Sequence, residues 1–126
     1  MGRVRQTPET RREVHHGRVV RCLADRPADM REMFAQVAAA SADAVALVDG
    51  DLRLTYAALD DQAERIARNL WRMGLRPGGR VAILLDNRAA FVVAMLAAIR
   101  IGAIFVPMNF RQKRPELAFA LAERHF

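Results

Sequence analysis

Cysteine, lysine, tryptophan and tyrosine each occur once in these 126 residues. A single thiol, Cys22, rules out an internal disulfide framework, which suits a reducing cytoplasm. Cys22 also lacks a second cysteine at metal-ligand spacing, so the sequence describes an inert thiol. None of the glycines forms a phosphate cradle ahead of a helix; Gly78 and Gly79 precede a strand, which is the wrong order. The one lysine, Lys113, lies in a polar turn. There is no serine nucleophile elbow, no histidine pair at helical spacing and no CxxC. These absences exclude most self-contained catalytic centres.

What is present is apolar surface and arginine. About half the residues are apolar, enough for one domain with a modest core. Nineteen of the twenty basic residues are arginine, and the formal charge is +6. Residues 1–28 hold seven arginines against Glu9, Glu13 and Asp25, so +4 of that charge sits in this arm. With mixed charge, Pro8 and Pro27, and no apolar period, residues 1–28 read as a basic, disordered or weakly ordered arm. His15 and His16 are adjacent, point different ways and have no third ligand near them in sequence, so a metal is not expected. The arm has no aromatic residues to stack on bases, and no nucleic-acid partner is expected.

The chain opens without the apolar core of a signal peptide. Residues 89–106 are long enough to span a bilayer, but Arg100 sits among them and Gly102 interrupts them. A central arginine costs roughly 2.5–3.5 kcal/mol on insertion scales. A buried helix, a turn and a buried strand explain the same letters without that cost, and no transmembrane span is expected.

From Asp29 the pattern becomes regular. Met30, Met33, Phe34 and Val37 share one face of a helix. Val45 and Leu47, then Leu52 and Leu54, alternate around Asp49-Gly50, which predicts a hairpin. Thr55 caps a helix to about Met73, with Leu59, Ala63, Ile66, Ala67 and Leu70 as its buried stripe and Gly74 as its terminator. Asp61 to Arg65 and Glu64 to Arg68 are four-residue pairs on the wet side. "RVAILLDN" reads as a strand buried on both faces, as in parallel sheets. Asn87 is placed to cap an apolar helix from about Arg88 to Arg100, which should be covered on most sides. "AIFVP" supplies a second buried strand, making a right-handed βαβ crossover. A last amphipathic helix carries Pro115 in its first turn.

Little chemistry is on offer. Asp60, Asp61 and Glu64 belong to a solvated helix face rather than to an acid–base pair. Open parallel sheets bind ligands beyond the carboxyl ends of their strands. Those ends carry Asn87 and Asn109, the two candidate contacts, although a helix cap and a turn explain them more simply.

Taken in order, these segments resemble the start of the AMP-forming acyl-CoA synthetases, the fatty-acid–CoA ligase branch of the adenylate-forming, AMP-binding enzymes. The resemblance rests on Thr55, Tyr56, Leu59, Gly74, Pro77, Gly78, Arg80, Val81, Asn87, Gly102, Ala103, Pro107, Asn109, Glu116 and Leu117, and covers residues 29–126. Gly79, Ala58 and Ala42 depart from it, at positions where the family favours Asp, Glu and Pro. The family activates a carboxylic acid with ATP as an acyl-adenylate and then transfers the acyl group to coenzyme A, with Mg2+. The resemblance implies an α/β fold: the N-terminal piece of the large AMP-binding domain, with helix, hairpin, then α-β-α-β-α and an incomplete sheet. It also implies that the phosphate-binding loop and the catalytic residues lie downstream of this segment. No catalytic or metal-binding residue is therefore assigned, and no cofactor is expected in this chain.

The expectation is a truncated N-terminal portion of a cytoplasmic ligase, inactive alone. Its exposed apolar faces should make it marginally stable, self-associating or dependent on a complementing C-terminal chain. The competing reading is a small non-catalytic binding or regulatory module that associates with a synthetase.

Overall fold

A computed structural model describes residues 8–123. The first seven residues of the basic arm and residues 124–126 lie outside the described residues. Residues 10–23, expected to lack regular structure, instead form an antiparallel hairpin of β1 (Thr10–His15) and β2 (Arg18–Leu23). His15 pairs with Arg18, so the loop is His16-Gly17, and both residues have positive φ (49° and 76°). Positive φ at both central residues is the geometry of a type I′ turn, whose twist matches that of the strands it joins. The signal was in "HHG", but arginine-rich strands hid the alternation beside it.

From Asp29 onward the elements follow the sequence pattern. Helix α1 (Met30–Ala40) begins where the Asp29 carboxylate accepts from the Glu32 amide at 2.8 Å. Strands β3 (Val45–Asp49) and β4 (Leu52–Thr55) form the second hairpin, turning at Gly50-Asp51 with Gly50 at φ 58°. Glycine at the first central position is what a type II′ turn requires. Helix α2 (Tyr56–Arg72) starts under the Thr55 hydroxyl, which accepts from the Ala58 amide at 3.2 Å.

Helix α2 ends in a Schellman motif. The Leu75 amide donates to the Leu70 carbonyl and the Gly74 amide to that of Trp71, each at 3.0 Å. Arg76-Pro77-Gly78-Gly79 then makes a tight turn with Gly78 at φ 79° and the Gly79 amide on the Arg76 carbonyl at 2.9 Å. Proline followed by a positive-φ glycine is the type II pattern.

Strand β5 (Arg80–Ile83), helix α3 (Ala89–Ile101) and strand β6 (Ile104–Pro107) form the βαβ unit, with β5 and β6 parallel from Arg80↔Ile104 to Ile83↔Pro107. Helix α4 (Arg114–Glu123) follows, with Pro115 in its first turn. The Glu116 carboxylate reaches back to the Lys113 amide at 2.7 Å, half of a capping box.

The core lies between α2, α3 and the second hairpin. Leu54, Leu59, Ala89 and Val93 are buried together, with Phe34, Leu47 and Leu96 packed against them. Ala63, Ala67, Ala97 and Ala98 extend the buried set along the two helices. No large side chain is fully buried among the described residues.

Several expected buried faces stay open. Ile66 on α2 is exposed, as are Leu84 and Leu85, so "RVAILL" is not covered on both faces. On α1 only Phe34 reaches the core, while Met30, Met33 and Val37 face outward. Helix α4 buries no residue, and Phe119 on it is 68% exposed. Among the described residues each of the three sheets has two strands, so every strand there keeps an edge free of strand pairing.

Candidate functional site

Parallel pairing brings the carboxyl ends of β5 and β6 side by side, the place where open α/β sheets receive ligands. The Met108 amide donates to the Ile83 carbonyl at 2.9 Å and prolongs the pairing past Pro107. Of the two sequence candidates, Asn109 follows the end of β6 by two residues and Asn87 follows the end of β5 by four, on separate loops. Asn109 is exposed and its carboxamide oxygen accepts from the Arg111 amide at 3.0 Å, which closes an Asx turn into α4. Asn87 is exposed and does not cap α3. The capping position belongs to Arg88, whose side chain makes no cap bond.

The cap comes from elsewhere. The Asp49 carboxylate, at the end of β3, accepts from the Ala89 amide at 2.9 Å. It meets a free N–H at the positive end of the α3 dipole and joins the second hairpin to the βαβ unit. Forty residues separate donor and acceptor, so no local pattern reveals the bond. Arg88 turns back instead, its side chain on Asp86 at 3.1 Å and its amide on the Asp86 carbonyl at 2.8 Å.

The acidic residues of α2 divide. Glu64 pairs with Arg68 as their spacing predicts, and the hydrogen bond from Arg68 holds the Glu64 carboxyl below its usual value. No ion pair joins Asp61 to Arg65 among the described residues. Asp60, half-buried, pairs with Arg100 on α3 and ties the two helices beside a cleft of about 460 Å3 that both residues line. Phe34, Ala63, Leu96 and Ile99 line that cleft. It sits between α1, α2 and α3, away from the strand ends.

A family that uses ATP, Mg2+ and coenzyme A raises the question of whether these strand ends fit such groups. They do not fit a triphosphate. The Asn109 oxygen and the Met108 amide are engaged internally, and no run of glycine amides faces the rim. Asp86 is bound by Arg88, which competes with a cation for its carboxylate.

Among the described residues, the hairpin of β1 and β2 carries the most strongly perturbed group. Glu13 is held down to about 2, first by the hydrogen bond from Arg11, then by that from His15, with the charge of Arg26 adding to both. Among the described residues no helix is long and apolar enough to cross a membrane.

The sequence pattern of the AMP-binding enzyme family matches residues 34–125. A feruloyl-CoA synthase of Amycolatopsis is 45% identical over 83 residues, which are 66% of this chain and 17% of that protein. The N-terminal subdomain of Klebsiella oxytoca NpsA, solved with anthranilyl-AMSN, superposes with a TM-score of 0.71 at 28% identity over 74% of this chain and 24% of that one. O-succinylbenzoate coenzyme A synthetase of Bacillus subtilis, solved with AMP, gives 0.69 at 32% identity over 72% of this chain and 24% of that one. This chain thus spans a small part of the relatives it matches, and it belongs to the AMP-binding enzyme family.

Proposed function

We propose that this chain is the N-terminal scaffold segment of an AMP-forming acyl-CoA synthetase. The parent would activate a carboxylic acid, of the fatty-acid class or a related one, as its acyl-adenylate and pass the acyl group to coenzyme A. The segment itself would be inactive. It would supply the α2–α3 platform and the β5–β6 strands on which the rest of the domain builds. ATP, Mg2+ and coenzyme A would be held by residues other than those described above. A cytoplasmic location accords with the lone cysteine.

One observation supports this reading above the others: the faces left open are apolar and lie on elements of the family match. Val37, Leu85, Ile104 and Phe119 are exposed apolar residues spread over α1, the loop after β5, β6 and α4. A domain complete in itself covers such faces.

The test is acid-dependent ATP–pyrophosphate exchange. We expect none from the chain alone, and recovery when it is mixed with a relative lacking the matched N-terminal segment. Exchange by the chain alone, under any acid, refutes the reading. Binding that inhibits an intact synthetase would favour a regulatory module instead.

A further inference from the structure

The β1–β2 hairpin gathers three chemically different metal-ligating groups that the sequence keeps apart. Alternation along β1 puts Glu13 and His15 on one face together with Arg11. Cys22 pairs directly with Arg11 across the ladder and so shares that face. The adjacent His15 and His16 offered no third ligand in sequence, yet folding supplies two. His16 goes into the turn and takes no part.

We propose that Glu13, His15 and Cys22 bind a divalent cation of the zinc class. The His15 Nε2 atom lies 2.8 Å from Glu13 Oε2 and 3.9 Å from Cys22 Sγ, and the three ligand atoms all fall within 4.8 Å of one another. Metal bonds of 2.0–2.3 Å in a tetrahedron place neighbouring ligand atoms roughly 3.3–3.8 Å apart. Small side-chain rotations convert one arrangement into the other. One thiolate, one imidazole and one carboxylate favour zinc over magnesium or calcium, which prefer oxygen alone. A water would complete the fourth position.

The same face shows what stands in the cation's place. A guanidinium nitrogen of Arg26 hydrogen-bonds Glu13 and lies 3.4 Å from His15 Nε2. Arg26 thus offers positive charge to two of the three ligands, and the metal must displace it. The relation is one of competition, and competition has a direction that adventitious binding does not share.

The experiment uses the full chain, stripped with chelator and titrated with Co2+ as a spectroscopic probe. One Co2+ per chain should give thiolate-to-cobalt charge-transfer absorption, which one equivalent of Zn2+ abolishes. Cys22→Ser should remove the band. His15→Ala and Glu13→Gln should each weaken Co2+ binding by more than the roughly 10–100-fold that a change at a residue merely supporting a ligand costs. His16→Ala should change nothing, and Arg26→Ala should tighten binding. Arg26 lies outside both strands, so its replacement changes no residue of the ladder. Absence of the band in the parent chain overturns the proposal. So does a band that survives in His15→Ala and Glu13→Gln, which would mark a lone thiolate, or weaker binding in Arg26→Ala.

Discussion

Asp49 shows how a single carboxylate can join two substructures. It terminates β3 and, through the Ala89 amide, starts α3. Asp49→Ala should destabilise the chain by about 1 kcal/mol, the usual cost of a lost helix cap. Asp49→Asn should recover most of that, as chemical denaturation would show, because an amide oxygen also accepts. Glu13 gives a second prediction at this scale. Its carboxyl, ordinarily near 4.5, is held near 2, so its ion pairs steady the hairpin fully above the ordinary value. That contribution is lost as pH falls through about 2. NMR titration of the Glu13 carboxyl should show the low midpoint, and Arg11→Ala should raise it. Local residue signals were legible where both partners lay within a turn of each other, as with Thr55 and Ala58. Asn87 was misread as a cap because Asp49, forty residues away, reaches the helix end first. Asp60 was misread as solvated for the same reason, its partner Arg100 being equally distant.

Among the elements, the crossover unit depends on two positive-φ glycines that meet. Gly102 ends α3 at φ 80°, and its carbonyl accepts from the Gly78 amide at 2.9 Å. The Ala103 amide closes the Schellman motif on Ala98 at 3.0 Å. The turn before β5 is thereby clamped to the end of α3, which sets the two strands in register. Gly102→Ala should cost about 1–2 kcal/mol from the left-handed backbone alone. Space does not forbid the change, since a Cβ there would meet Pro77 at an ordinary 3.6 Å. Gly79 differs: its φ is unremarkable, yet a Cβ would come within 2.9 Å of the Arg76 carbonyl. The turn must shift before a side chain can enter there, where the resemblance expects Asp. Helices and turns from Asp29 onward were readable because glycine, proline and capping residues punctuate apolar periods. The first hairpin was not, since Arg11, Arg12, Arg18 and Arg21 occupy strand positions that apolar residues usually mark.

Over the whole molecule, the core is built mainly from alanine and a few larger side chains, while bulky apolar groups face outward. Alanine seams let α2 and α3 approach closely but contribute little burial; at about 25 cal/mol per Å2 of apolar area, exposed leucine and phenylalanine leave stabilisation unused. Phe119→Asp should therefore alter the melting of the isolated chain by less than about 0.5 kcal/mol, and should reduce its association at high concentration. On the proposed function, these faces evolved to be covered by further polypeptide of the same domain. Thermal unfolding of the isolated chain, followed by calorimetry over a hundredfold range of concentration, decides whether they did. A broad or concentration-dependent transition is the predicted result. A sharp, concentration-independent transition of a monomer would contradict it.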